Sequence, residues 1–282
     1  MIPLFPMQRI SRKATAFTNI SGDCESVKQS AFQYNSKKKE GNNMSVAENI
    51  REVEAKIAAA AAKSGRKAED ILLLAVSKTK PVELIGEAVQ AGCVSLGENK
   101  VQEIMEKYEP MMEYAPAGDR IHWHLIGHLQ TNKVKYIIDK VDMIHSVESL
   151  KLAQEIEKRA AQKELVMDVL IEVNMGGEES KFGVAPEETE ALLREIAAMA
   201  HIRVRGLMTV APFVENQEEN REVFRQMREL LVDMNSKKID NIKMDTLSMG
   251  MTGDYEVAIE EGATIVRVGT GIFGERYYPN KG

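Results

Sequence analysis

Apolar and polar positions along residues 44–282 alternate in two periods, and together they predict strands separated by helices. The first helix begins after Ser45, a residue type that caps helices, with Glu48 three residues later. Apolar residues then recur every three or four positions from 50 to 61, as they do on one face of an amphipathic helix. The run 71–76 is apolar on both faces, which is typical of a strand buried in a parallel sheet.

The same two patterns continue along the chain. Predicted strands lie at 71–76, 94–96, 122–126, 143–145, 166–173, 203–210, 246–248 and 264–268. Predicted helices lie at 45–63, 81–91, 101–112, 132–140, 150–163, 186–200, 217–235 and 255–260. This alternation predicts an α/β protein with a parallel sheet, and eight units predict one (β/α)8 barrel of the TIM type. An open doubly wound sheet is the rival, but no GxGxxG sequence follows the first strand.

Residues 1–43 lie outside this pattern. Residues 1–22 contain no acidic side chain and carry Arg9, Arg12 and Lys13 among serines and threonines. We expect a disordered leader, or an upstream extension with Met44 as the working start. A mitochondrial or plastid targeting segment is the alternative, because such segments are basic and poor in acidic residues. Residues 44–282 are expected to form the barrel.

Composition is that of a globular protein. The chain has 282 residues, of which 44% are hydrophobic and 28% charged, and its formal net charge is -6. These values exclude a largely disordered or collagen-like chain and give no support for nucleic-acid binding. Two cysteines, Cys24 and Cys93, make no disulfide framework, and no run of about 18 apolar residues could span a membrane. We expect a cytoplasmic monomer that binds neither nucleic acid nor membrane.

In a (β/α)8 barrel the chemistry lies in the loops that follow the strands. Lys78 follows the first predicted strand, where burial lowers the pKa of an ammonium group and favours attack on a carbonyl carbon. The alternative is that Lys78 and Lys80 are solvated loop lysines. Glycine- and hydroxyl-rich turns follow the seventh and eighth strands, where barrels commonly hold a phosphate. A lysine and a phosphate cradle at one barrel mouth indicate pyridoxal 5′-phosphate (PLP).

Six blocks of sequence closely resemble the family of pyridoxal phosphate homeostasis proteins, also called the YggS/PROSC family. The blocks are AVSKTKP (75–81), GEN (97–99), HWHLIGHLQTNK (122–133), RGLM (205–208), LSMGM (247–251) and VGTGIFG (268–274). The resemblance covers residues 44 to about 278. It implies a barrel similar to the N-terminal domain of alanine racemases.

The resemblance also implies roles for particular residues. Lys78 matches the family lysine that forms the internal aldimine, a Schiff base with PLP, and Asn99 matches a polar residue near the cofactor ring. Arg267 matches a basic residue that lies either near the pyridine nitrogen or near the phosphate. Met208 is placed near the mouth, where it could contact the ring. The phosphate-binding turns match four residues: Ser248, Met249, Gly269 and Thr270.

The function implied is PLP homeostasis: a protein without catalytic activity that holds the cofactor and hands it to apoenzymes. A single-domain PLP-dependent amino-acid racemase is the alternative. Alanine racemases take a second acid/base tyrosine from an additional domain, and we expect no room for one because the chain ends soon after the eighth strand. Tyr277 and Tyr278 are expected to have rim or packing roles.

Other polar residues are given simpler interpretations. His122 and His124 are expected to face opposite sides of their strand and to pack, whereas His128 is the better candidate for the rim of the site. Asp254 is expected to cap the helix after the seventh strand. Cys93 is expected to be inert. No spacing of His and Cys resembles a zinc site.

Overall fold

A computed structural model describes residues 44–177 and 182–275 of the protein. Its eight parallel strands form a closed barrel in which each strand pairs with the next and the eighth pairs with the first. The predicted (β/α)8 barrel is therefore confirmed. The expectations for residues 1–43, and for Tyr277 and Tyr278, concern residues outside the described part of the chain.

The elements follow the predicted order, with shifted ends and one additional short helix after the eighth strand. The strands are β1 (Leu72–Val76), β2 (Ser95–Glu98), β3 (His122–Leu125), β4 (Met143–Val147), β5 (Met167–Glu172), β6 (Ile202–Met208), β7 (Thr246–Met251) and β8 (Ile265–Val268). The helices are α1 (Val46–Lys63), α2 (Val82–Gln90), α3 (Val101–Met111), α4 (Val134–Ile137), α5 (Leu150–Gln162), α6 (Thr189–Ile196), α7 (Arg221–Ser236), α8 (Tyr255–Glu260) and α9 (Thr270–Phe273). Among residues 44–177 and 182–275, no helix is both long enough and apolar enough to cross a membrane.

Two apolar cores hold the barrel together. The smaller core fills the barrel interior with five fully or largely buried side chains: Leu74, Met143, Leu170, Met208 and Ile265. The larger core lies between the strands and the surrounding helices, whose apolar faces supply much of it. Each buried Leu or Ile contributes about 1.5–3 kcal/mol. The barrel interior also contains buried polar side chains, among them Glu172 and Arg267.

β7 is longer than the sequence predicts because it contains an irregularity. The pairing register with β8 shifts between Ser248 and Met251. Within the shift, Gly250 has a φ of 88°, and a Cβ atom there would lie 2.6 Å from the Cβ of Ala258. Only glycine meets both conditions. Met249, predicted to follow the strand, is therefore a strand residue beside a bulge, and Ser248 lies in the strand, where its position was predicted.

Cys93 is expected to resist alkylation in the folded protein. Its side chain is 7% exposed, and burial raises the pKa of its thiol to about 12. The thiolate is the reactive form, so on the order of one molecule in 10,000 carries it at pH 8. We expect iodoacetamide to label Cys93 at least about 100-fold more slowly in native protein than in urea. Peptide mass spectrometry measures both rates, and equal rates would contradict this packing.

Candidate functional site

The turn after β1 holds its backbone in a fixed position on both sides of Lys78. The Ser77 amide donates to the Gly97 carbonyl at 3.0 Å, and the Lys80 amide donates back to the Ser77 carbonyl at 3.1 Å. Thr79 has a φ of 62°, a left-handed conformation that a β-branched residue adopts only when its surroundings impose it. Lys78 itself is half-buried at the carboxyl end of the barrel.

The second lysine of this turn is committed to another contact. Lys80 Nζ donates to the carbonyl oxygens of Phe273, Gly274 and Glu275 at 3.2, 3.0 and 3.1 Å. An ammonium group has three N–H donors, and here three carbonyl oxygens accept from them. These contacts tie the β1 turn to the end of α9 and the residues after it.

The turns after β7 and β8 face each other beside β1. The backbone amides of Gly269 and Gly271 both donate to the Thr252 hydroxyl oxygen at 3.3 Å. A Cβ atom at Gly269 would lie 3.5 Å from the Cβ of Val76, so the β8 turn adjoins the end of β1. Two converging amides and a hydroxyl form the kind of cradle that binds a phosphate oxygen.

A chain of buried polar side chains crosses the barrel interior beneath these turns. His124 Nδ1 lies 2.9 Å from His145 Nε2, and His145 Nδ1 lies 3.0 Å from Ser248 Oγ. Arg267 donates to Ser248 Oγ at 2.8 Å and to the Thr209 carbonyl at 2.8 Å. Because arginine only donates, Ser248 accepts from it, and the serine proton is available to His145. The predicted phosphate-turn residue is thus tied to the barrel interior.

Burial determines the charges along this chain. It lowers the pKa of His124 to about 4 and that of His145 well below its usual value, so both are neutral at pH 7. Burial also lowers the pKa of Arg267 to about 10, while the nearby Glu172 carboxyl opposes that shift. Arg267 remains charged at neutral pH. The interior therefore carries one fixed positive charge next to Ser248.

Glu172 is a buried carboxyl at the carboxyl end of β5. It lies two residues after Leu170, a member of the interior core, so it faces the same side of the strand. Its Oε2 atom has no hydrogen-bond partner among the described residues. Burial, with the charge of Glu148, raises the pKa of Glu172 to about 7, and Arg267 opposes the rise. This carboxyl changes charge near neutral pH.

Asn99 follows β2 and lies next to the turn after β3. A Cβ atom at Gly127 would come within 2.4 Å of the Asn99 backbone oxygen, so the two backbones pass in close contact. Asn99 is half-buried. The next turn residue, His128, lies at the rim: its Nδ1 atom is 2.9 Å from Glu148, and its ring stacks on Phe182 at 4.1 Å.

Two expectations about polar residues are wrong. His122 and His124 share one face of β3, because residues two apart on a strand point the same way, and Trp123 between them packs toward Tyr108 of α3. Asp254 makes no side-chain cap for α8. Its carboxylate instead accepts from the Met251 amide at 2.6 Å and from the Asn220 side chain at 2.8 Å, bracing the β7 turn.

The predicted site residues lie in, or directly after, five strands that follow one another around the barrel: β6, β7, β8, β1 and β2. Met208 is fully buried in the interior core, level with Glu172 in the register of β5 and β6. Met249 packs in the outer core, so its predicted role rests on its backbone amide. Thr270 begins α9, a short helix that the sequence pattern did not predict.

Sequence reasoning missed His145 and Glu172. Both are polar residues within largely apolar strands, and both stand two positions from a residue of the interior core, Met143 or Leu170. That spacing was the available signal, since a polar side chain on the inner face of a barrel strand needs a partner there. Among residues 44–177 and 182–275, no group of three or more His, Cys, Asp or Glu side chains could hold a metal ion.

The donors at this mouth suit an aldehyde that carries a phosphate. The cradle of Gly269, Gly271 and Thr252 offers donors to a dianion, and the buried Arg267 adds positive charge nearby. Lys78 supplies the amine that an aldehyde requires. PLP combines both groups, so the residues present fit it.

Comparisons with known proteins agree on one family. A family model for the N-terminal domain of alanine racemase matches residues 46–277. A pyridoxal phosphate homeostasis protein from Aquifex aeolicus is 46% identical over 235 residues, which are 83% of this chain and 100% of that protein. A protein of the same name from Vibrio cholerae is 41% identical over 234 residues, 83% of this chain and 98% of that protein.

Solved structures give the same picture. PipY from Synechococcus elongatus, solved with PLP bound, has a TM-score of 0.71 and 30% identity, covering 81% of this chain and 100% of its own. An unknown protein from Bifidobacterium adolescentis has a TM-score of 0.76 and 37% identity, and the match covers 80% of this chain and 94% of that protein. An alanine racemase from Clostridium difficile is 19% identical with a TM-score of 0.59, covering 83% of this chain and 58% of the racemase. The last shows a likeness of fold alone.

Proposed function

The chain belongs to the family of pyridoxal phosphate homeostasis proteins, and on that basis we propose that it holds PLP as a Schiff base on Lys78 at the carboxyl end of the barrel. PLP supplies an aldehyde carbon that a primary amine attacks reversibly. The observation that carries the proposal is the position of Lys78 in a hydrogen-bonded turn next to the turn after β8. In that second turn, two backbone amides converge on the Thr252 hydroxyl.

The phosphate is assigned to the β7 and β8 turns. The backbone amides of Gly269 and Gly271 both donate to the Thr252 hydroxyl oxygen. A phosphate bound there would accept hydrogen bonds from these two amides and from the Thr252 hydroxyl group. Ser248 is held in place by Arg267 and His145, so its position is set before any ligand binds. The backbone amides of Met249 and Thr270 are the remaining assigned donors.

The ring is assigned to the space between Asn99 and Arg267, above Met208. Arg267 stays charged at neutral pH and has no acceptor, so it cannot hold a proton on a pyridine nitrogen. An unprotonated ring is a poor electron sink, which disfavours carbanion chemistry and leaves reversible attachment through Lys78. We therefore infer that the protein is a carrier without catalytic activity.

As a carrier, the protein would buffer free PLP and pass it to apoenzymes, its proposed partners, in vitamin B6 homeostasis. We propose that it works as a monomer in the cytoplasm, with residues 44–282 as the barrel and 1–43 as an appendage. Organellar targeting by that appendage is the alternative. Mass spectrometry of the mature N-terminus from the native cells tests it: a chain that begins near Met44 in the cytosolic fraction supports the cytoplasmic proposal.

Lys78→Ala is expected to abolish covalent attachment of PLP. Incubation with PLP followed by borohydride should fix the cofactor to one peptide of the wild-type protein, the one that contains Lys78. The matched control, Lys151→Ala, removes an exposed lysine on α5 and should label as the wild type does. Labelling of another lysine at full yield in the Lys78→Ala protein would show that Lys78 is the wrong residue.

Catalysis has a separate test. Because the fold is shared with racemases, the holo-protein should be incubated in D2O with L-alanine and other amino acids, and α-proton exchange followed by NMR. We expect no turnover beyond that of free PLP at the same concentration. Exchange at enzymatic rates would overturn the carrier proposal in favour of the single-domain racemase, and its loss in Glu172→Gln would identify the second acid/base group.

A further inference from the structure

A buried lysine lies directly behind the Lys78 turn. The side chain of Lys107, on α3, is 9% exposed. Its Nζ atom donates to the Ser77 carbonyl at 2.9 Å, to Glu98 Oε1 at 2.7 Å and to Glu103 Oε2 at 2.8 Å. An ammonium group has three donors, and here each has its own acceptor. We call Lys107, Glu98 and Glu103 the α3 hub.

The α3 hub forms hydrogen bonds with the backbone on both sides of Lys78. On the preceding side, Ser77 is held through its carbonyl by Lys107 and through its hydroxyl, which donates to Glu98 Oε1 at 2.7 Å. On the following side, the Thr79 amide donates to Glu103 Oε2 at 2.6 Å. Both neighbours of Lys78 are thus tethered to one buried ammonium group, directly at Ser77 and through Glu103 at Thr79.

Stability alone does not account for this cluster. Removing charges from water costs several kcal/mol per ion, and apolar replacements of buried ion pairs are often neutral or stabilising. Glu98 is fully buried, and its Oε2 atom has no hydrogen-bond partner among the described residues. Thr79 adds an unfavourable left-handed φ. Strain and uncompensated burial at one turn are typical of a site where position matters more than stability.

We propose that Lys107 is a positioning residue for Lys78. Lys107 contacts the Ser77 carbonyl directly and the Thr79 amide by way of Glu103, and these contacts fix the turn so that the Lys78 amine lies where the aldehyde of PLP would bind. This inference rests on the proposed function. It assigns the α3 hub to the covalent step, because the hydrogen bonds described above link the hub to the turn after β1.

The test separates attachment from non-covalent binding. Lys107→Met keeps the length of the side chain and removes its charge and donors; Glu103→Gln keeps the shape and weakens the link to Thr79. We expect the rate of borohydride-trapped labelling of Lys78 by PLP to fall at least about 10-fold in Lys107→Met and several-fold in Glu103→Gln. Affinity for 4-deoxypyridoxine 5′-phosphate, which has a methyl group in place of the aldehyde, should change by less than about 2-fold.

A second measurement needs no cofactor. Hydrogen exchange of the peptide that spans residues 76–80 should be faster in both variants, since the Thr79 amide loses its acceptor or its anchor. Glu106→Gln, an exposed carboxyl on the same helix, is the matched control and should leave all three measurements unchanged. Lys107→Arg, which restores the charge and donors, should recover part of the labelling rate.

Two results would overturn the inference. The first is labelling of Lys78 at the wild-type rate in Glu103→Gln and Lys107→Met. The second is an equal loss of labelling and of analogue affinity, which would indicate a general structural role. If Lys107→Met does not fold, Glu103→Gln and Lys107→Arg decide the question. If the wild-type protein never labels Lys78, the proposed function fails, while hydrogen exchange of residues 76–80 still tests whether the hub holds the turn.

Discussion

Gly206→Ala is expected to lower the free energy of unfolding by more than about 4 kcal/mol, or to prevent folding altogether. Gly206 lies in β6 and pairs with Thr246 of β7. A Cβ atom at Gly206 would stand 1.8 Å from the Thr246 carbonyl oxygen and 2.6 Å from its carbon. Both are backbone atoms of the neighbouring strand, so no side-chain rotation relieves the clash. The two strands must separate, and β7 carries Ser248 two residues further on.

Gly253→Ala is the matched control for that variant. Gly253 lies in the turn after β7, and a Cβ atom there would have no neighbour within 4 Å. We expect its free energy of unfolding to be unchanged or raised by up to about 1 kcal/mol, because alanine restricts the unfolded chain. Urea denaturation followed by circular dichroism measures both variants. If Gly206→Ala lowered the free energy of unfolding by less than about 1 kcal/mol, that result would contradict the spacing of β6 and β7 described above.

The barrel could be predicted from the sequence because its signals are local. Parallel strands are buried on both faces and appear as short apolar runs, and the helices between them show a period near 3.6. The ends of the elements were less predictable. The bulge at Gly250 depends on Ala258 eight residues later, and α9 begins at Thr270 within a glycine-rich turn that has no apolar period. Local pattern carries neither kind of information.

The residues of the site likewise divide into those that the sequence predicts and those that only the packing reveals. Lys78 and the glycine turns were found because position after a strand in a barrel is itself a signal. The partners that give these residues their charge and orientation come from distant strands: His145 reaches Ser248 across 103 positions, and Arg267 reaches Thr209 across 58. In the sequence, Lys107 looks like an ordinary charged residue of an amphipathic helix, and only packing shows that its ammonium group is buried.

Glu172→Gln is expected to stabilise the cofactor-free protein above pH 7 and to have little effect below pH 5. The pKa of Glu172 is about 7 in the folded protein against an ordinary value of 4.5. Between these values the folded state binds more protons than the unfolded state, so stability falls as pH rises through the window. This pKa shift lowers the free energy of unfolding by about 3 kcal/mol, and the whole decrease is present above pH 7. Glutamine cannot ionise and removes that loss.

Subtracting the two stability curves isolates Glu172 from the buried histidines. The lowered pKa values of His124 and His145 act in the opposite direction, because these groups cost stability as pH falls below about 6.5. Both proteins contain them, so their contribution cancels in the difference. Urea denaturation at intervals from pH 5 to 8 should show the advantage of Glu172→Gln growing with pH, whereas Glu229→Gln, an exposed carboxyl on α7, should give a flat difference. A flat difference for Glu172→Gln as well would mean that this carboxyl is ionised throughout the range, stabilised by Arg267 more than burial destabilises it.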